Sequence, residues 1–159
     1  GHSSCAIEFI NDNEPLDAVF VPVGGGGLIS GIACGFAAIS PDTKVIGGEP
    51  AGADDAYQSI QAGFIIPQTS PQTIADGLRT SLGDITFPII RELVNEIVTV
   101  SEEEIISAMR LIWQRMKIIV EPSSAVAFAA FLKRTADFKN KSVGIILSGG
   151  NVNIDDLPF

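Results

Sequence analysis

Four consecutive glycines, Gly24 to Gly27, follow the apolar run Val19-Phe20-Val21-Pro22-Val23 and precede a helical pattern that opens at Leu28. The order is strand, phosphate-sized loop, helix N-terminus. Backbone N–H groups converge on a phosphate only where no Cβ obstructs the approach, a condition glycine alone meets repeatedly. The helix start adds unpaired N–H groups and the positive end of its dipole. The segment reads as a cradle for the phosphate of a cofactor; the alternative is a plain flexible turn. A second set is Glu49 and Asp55, six residues apart across Pro50 and Gly52. With a loop carbonyl they offer hard oxygen ligands, which suit Mg²⁺ or Ca²⁺ better than zinc. The other reading is two solvated acids, with Asp54 and Asp55 stabilising a helix start.

These residues need elements that bring them together. Ser3 or Ser4 can cap a first helix to about Asn11, broken by Asn13-Glu14-Pro15. Asp17 to Val23 reads as a strand and Leu28 to Ile39 as a helix, whose Gly31 and Gly35 would let it approach a sheet closely. Thr43 to Gly48 reads as a second strand, closing at Glu49-Pro50, and a short helix from about Asp54 to Ala62 stops at Gly63. Phe64 to Gly83 is a long loop rich in Pro, Thr and Ser. Loops of that length in compact domains usually carry function. A helix from about Pro88 to Val94 leads to a strand over Ile97 to Val100. Ser101-Glu102-Glu103-Glu104 spells a capping box, and apolar residues at 105, 106, 109, 112, 113 and 116 then recur at helical spacing. Pro122 suits the first turn of a helix from Ser123 to about Arg134, and Ser142 to Leu147 is the last strand. Strands separated by helices imply a three-layer α/β fold, a mostly parallel sheet with helices on both faces. Ligands of such sheets bind beyond the carboxyl ends of the strands. Gly24 to Gly27, Glu49 and Ser148 fall at such ends and are predicted to share one rim.

Composition narrows the function classes. A chain of 159 residues reads as one domain, able to bury roughly 70% of its unfolded surface. Hydrophobic content of 46% and a mean hydropathy of +0.34 favour a dense core over disorder. No apolar run approaches the roughly 20 residues a bilayer requires, and no signal-peptide pattern opens the chain, so the cytosol is the expected compartment. The net charge of −9, with no basic stripe, speaks against nucleic acid. Cys5, Cys34 and the single histidine make zinc and disulfide frameworks poor readings. Each cysteine is expected as a small buried hydrophobe, and Trp113, Phe128 and Phe131 as core.

The segments VPVGGGGLISG, GGEPAGADDAYQS, TIADGLRTS, RMKIIVEPSSAV and LSGGNV follow one another along nearly the whole chain. Together they resemble the serine racemase and serine/threonine dehydratase family, fold type II enzymes that depend on pyridoxal 5'-phosphate (PLP). The resemblance implies that Gly24, Gly25, Gly26 and Gly27 hold the PLP phosphate, that Gly77 lies close to the ring, and that Ser148 sits beside the pyridine nitrogen. Read on its own, Ser148 could equally cap a turn. Glu121, just before Pro122, is either a helix-start acid or lies near the cofactor. Glu49, the carbonyl of Ala53, and Asp55 resemble the family's divalent-cation site, for Mg²⁺ or Mn²⁺. Lys117 and Asn151 fall where some relatives contact ATP at a subunit interface; the plain reading of Lys117 is a solvated helix-end cation. A hydroxyl beside the ring nitrogen does not force its protonation as an aspartate would, which suits Cα deprotonation followed by reprotonation or β-elimination.

The implied substrate is serine or threonine, and a homodimer is expected from the family and from the apolar helix at Ile105–Met116. In such enzymes the Schiff-base lysine and the opposite-face serine lie in an N-terminal half. Lys44, Lys117, Lys133, Lys139 and Lys141 match none of that motif. The expectation is therefore the PLP-binding part of a larger enzyme, inactive alone, with no residue assigned to catalysis. The chain opens Gly1-His2-Ser3-Ser4 where relatives carry Gly-Gln-Gly-Thr, and His2 is expected at the surface. Two other readings stand beside this one. One is a non-catalytic remnant that binds a partner subunit or a phosphate ligand; the other is an unrelated nucleotide-binding α/β module.

Overall fold

The computed structural model describes residues 2–159, so Gly1 of the opening segment lies outside the described residues. Four strands, β1 (Ala18–Pro22), β2 (Lys44–Pro50), β3 (Glu96–Val100) and β4 (Val143–Ile145), form one parallel sheet in the order β3-β2-β1-β4. Six α-helices connect and cover it: α1 (Ser3–Asn11), α2 (Gly27–Ile39), α3 (Asp55–Ala62), α4 (Thr86–Leu93), α5 (Glu102–Leu111) and α6 (Pro122–Lys133). The expected three-layer α/β architecture is present.

The alternation of side chains along β1 divides the core. Val19 and Val21 point to the face covered by α1, α2 and α4, where Ile29, Ile32, Phe36 and Ile90 are buried. Phe20 points to the opposite face, among Ile105, Met109 and Val126 of α5 and α6. Its ring meets Phe131 and Phe138 edge-on, with centroids 5.6 and 5.5 Å apart. A strand buried on both sides must be apolar throughout, which is why β1 reads as a continuous run. The register sets the rim: Pro22 pairs with Gly48 and Glu49 with Thr99, so β1 and β2 end side by side.

Several expectations need correction. Gly31 and Gly35 do not serve the sheet. Cβ atoms there would lie 2.6 Å from the Cβ of His2 and 2.5 Å from that of Ala6, so the small residues admit α1. Helix α1 begins at Ser3 with His2 before it, and no side chain caps it. Cys34 is exposed and Cys5 half-buried, so neither is the buried hydrophobe expected. The capping box at Ser101 and Glu104 is formed as read, with both reciprocal bonds made. The helix after it stays α-helical to Leu111 and then widens into a π-helical turn over Ile112–Met116. Its Ile105, Met109 and Ile112 are buried in this chain's own core, while Leu111 and Met116 of the same segment are exposed. Among the described residues, no helix is long and apolar enough to cross a membrane.

Candidate functional site

At the carboxyl edge of the sheet, the amide of Val23 still donates to Gly48 O at 2.8 Å, after which the chain leaves the ladder into the glycine loop. Gly26 turns the corner with φ of 85°, the left-handed region glycine occupies without strain, and stands at the N-cap of α2. The loop is held from behind. Gly24 packs so tightly on the Gly77–Leu78 turn that a Cβ there would lie 3.1 Å from Gly77 O. That turn is itself tied to α6, because Gly77 N–H donates to Ser123 Oγ at 3.0 Å.

The result is a cavity of about 220 Å³ lined by Gly24, Gly25, Gly26, Gly27, Gly77, Glu121, Ser123 and Ser148, with Pro22, Leu28 and Leu78. All seven residues read as cofactor contacts thus meet in one place, from four separate stretches of chain. Glu121 does lie there rather than merely opening a helix; a Cβ on Gly149 would fall against its carboxylate. No Lys or Arg lines the cavity, so a bound phosphate would be met by backbone N–H groups and the start of α2. The open glycine backbone on one wall and the polar Ser148, Ser123 and Glu121 on the others fit a phosphate-bearing ring. Ser123 escaped the sequence reading, since nothing in Pro122-Ser123 signals a bond to an amide 46 residues away.

Glu49 and Asp55 lie beyond the end of β2. They are not solvated: Glu49 is 1% exposed and Asp55 3%. Both Glu49 oxygens accept backbone N–H bonds of 2.8 Å, from Ala56 and Tyr57 at the start of α3. Asp55 accepts from Leu82 N–H at 3.2 Å through one oxygen, and its other oxygen, Oδ1, is buried with no partner. Burial pushes Glu49 up to about 8 and Asp55 up to about 6, since desolvation disfavours their charged forms. Ala53 is buried between them in sequence, in the short turn Ala51–Ala53. Two buried acids and an orphaned oxygen fit a hard cation with carbonyl help. Among the described residues no three His, Cys, Asp or Glu side chains cluster as a metal site, so these two acids would need backbone or water oxygens.

Lys117 and Asn151 are not brought into one cleft. Lys117 is exposed at the end of the π-helical turn, with φ of 60°, whereas Asn151 lines a separate 480 Å³ cleft with Asp76 and Arg79. His2 is exposed, as expected. Another cleft, of about 620 Å³, opens at the amino ends of the strands, away from this rim. Several of its charges pair with one another, Arg134 with Glu96 and Asp137, and Lys141 with Asp17 at 3.9 Å.

Comparison with known proteins agrees with this geometry. Residues 1–149 match the family described as pyridoxal-phosphate dependent enzyme. The chain is 47% identical, over its whole length, to half of a β-hydroxyaspartate dehydratase from Paracoccus denitrificans. Serine racemase from Dictyostelium discoideum is 48% identical; its crystal structure superposes with a TM-score of 0.90 over 97% of this chain and 50% of its own. The processed form of threonine deaminase isoform 2 from Solanum lycopersicum is 35% identical, with a TM-score of 0.92 over 98% of this chain and 44% of its own. The chain spans about half the length of the curated relatives it matches. An unrelated nucleotide-binding module is thereby set aside: this chain belongs to the pyridoxal-phosphate dependent enzymes of fold type II.

Proposed function

We propose that this chain is the cofactor-binding portion of an enzyme acting at the Cα–H bond of a small β-hydroxy amino acid, by racemisation or by dehydration to an oxo acid and ammonia. The observation that carries the reading is the single cavity in which the glycine loop faces Ser148 and Glu121. Bound there, PLP supplies an electron sink for negative charge at Cα. Gly24 to Gly27 would hold its phosphate through backbone N–H groups, and Gly77 would border the ring. Ser148 would face the pyridine nitrogen with a neutral hydroxyl, which leaves that nitrogen free of an imposed proton. Glu49, Asp55 and the carbonyl of Ala53 would hold Mg²⁺ or Mn²⁺, with Ca²⁺ chemically acceptable. ATP at Lys117 and Asn151 has no support from a shared cleft in one chain. The exposed Leu111, Met116, Ile118 and Ile119 favour a dimer.

Serine and threonine are the proposed substrates, and the relatives named for hydroxyaspartate add a β-hydroxy amino acid with a second carboxylate. The test uses the intact enzyme that carries this chain, loaded with PLP and Mg²⁺. It is offered serine, threonine and 3-hydroxyaspartate, with oxo acid, ammonia and the enantiomer ratio measured. Turnover of at least one is expected. An enzyme that binds PLP yet alters none of the three would overturn the reading and favour a non-catalytic remnant.

A further inference from the structure

We propose that Thr86, the first residue of α4, is a positioning residue that aims the glycine loop at a phosphoryl group and makes the cavity phosphate-selective. The inference rests on the cofactor reading above and deepens it. The cavity is lined by no cationic side chain, so its hold on a dianion depends on where backbone N–H groups point. Among the described residues, the N–H groups of Gly24, Gly25 and Gly26 have no protein acceptor.

What fixes their direction is on the far side of the loop. Thr86 Oγ1 donates to Gly25 O at 2.8 Å and accepts from Gly83 N–H at 3.0 Å. Gly83 N–H also approaches the same Gly25 oxygen, at 3.4 Å. The Gly25 carbonyl and the Gly26 N–H belong to one trans peptide plane and point in opposite directions. Drawing the carbonyl toward α4 therefore turns the Gly26 N–H away from α4. Thr86 is absent from the cavity lining while Gly26 is part of it. The same side chain fills the space behind Gly26, where a Cβ would lie 2.8 Å from Thr86 Oγ1. Helix α4 is itself anchored, through the buried Ile90, against α2. Thr86 thus acts through the loop and touches no reacting atom.

The experiment compares Thr86→Val, Thr86→Ala and Thr86→Ser in the intact enzyme. Three probes are titrated: PLP and pyridoxal by fluorescence, and inorganic phosphate by ³¹P line broadening. Losing one side-chain hydrogen bond that orients the loop should weaken PLP and inorganic phosphate roughly 5- to 10-fold in Thr86→Val and Thr86→Ala. Pyridoxal, which lacks the phosphate, should bind within about twofold of wild type, and Thr86→Ser should behave as wild type. Equal losses for PLP and pyridoxal, or unchanged PLP affinity, would overturn the inference. So would a folded Thr86→Ser that loses phosphate affinity, which keeps the test decisive if Thr86→Val does not fold. Wild type that holds inorganic phosphate but rejects PLP would sink the cofactor reading alone, with Thr86 still judged on phosphate. Wild type that holds neither would sink both.

Discussion

The four glycines of the loop make unequal demands on the fold, and two alanine substitutions separate them. At Gly26 the backbone has φ of 85°, and a Cβ would stand 2.8 Å from Ile90 Cδ1 and 2.8–2.9 Å from Thr86. The left-handed conformation costs an alanine about 1–2 kcal/mol. Contacts that short, against an anchored helix, add about 1–3 kcal/mol of overpacking. Gly26→Ala should therefore lose about 2–5 kcal/mol, a large share of a typical stability of about 5–15 kcal/mol. At Gly25 the φ is not positive, and a Cβ would meet only Thr80 Oγ1 at 3.6 Å and Ser81 O at 3.7 Å. That is ordinary contact, and alanine restricts the unfolded chain, so Gly25→Ala should change stability by less than about 1 kcal/mol. Urea unfolding of the intact protein, followed by circular dichroism, reads both variants. Gly26→Ala at least as stable as Gly25→Ala would refute the reasoning. Any phosphate affinity lost in Gly25→Ala then reports on the ligand, since packing has been held constant.

Burial raises Glu49 from 4.5 to about 8 and Asp55 from 3.8 to about 6, so the folded form binds these protons more tightly than the unfolded chain. In the absence of divalent cations that contribution should be fullest below the unfolded values near 4 and fade as pH rises through 6 and 8. Stabilisation by Mg²⁺ or Mn²⁺ should correspondingly grow across that window; a cation effect in urea unfolding that is flat with pH contradicts the site. Phe20→Ala removes a fully buried ring between two aromatic neighbours and should cost about 3–5 kcal/mol by the same assay. Ser101→Ala deletes a bond to Glu104 N–H and half of a capping box, at about 1 kcal/mol, while Ser101→Asp should recover most of it.

Much of the fold was legible because local rules and the final structure agree. The apolar run of β1, the helix after the glycines, the Ser101 box and the stop at Gly63 each depend on neighbours within a turn or a strand. The strand-then-helix rhythm then leaves little freedom but a parallel sheet, and with it a shared rim. The errors have a common cause. Gly31 and Gly35 announce that something approaches closely, but whether a sheet or α1 does so is decided by packing. The stripe from Ile105 to Met116 announces apolar contact without saying which of its residues meet this chain's own core and which stay exposed. Sequence left open whether the acids at 49 and 55 are solvated or enclosed, since a carboxylate's burial is set by α3 and the loop reaching Leu82.

Residue types and their spacing were enough to put chemistry-bearing groups at strand ends: bare amides at one, a hydroxyl at another, and two acids at a third. Only the packed chain could show that Ser123 ties Gly77, that Thr86 holds the Gly25 carbonyl, and that Asp55 keeps an oxygen without a partner. Those bonds link residues 46 and 61 positions apart, and no local pattern encodes a contact made only when separate helices dock on the same edge of a sheet.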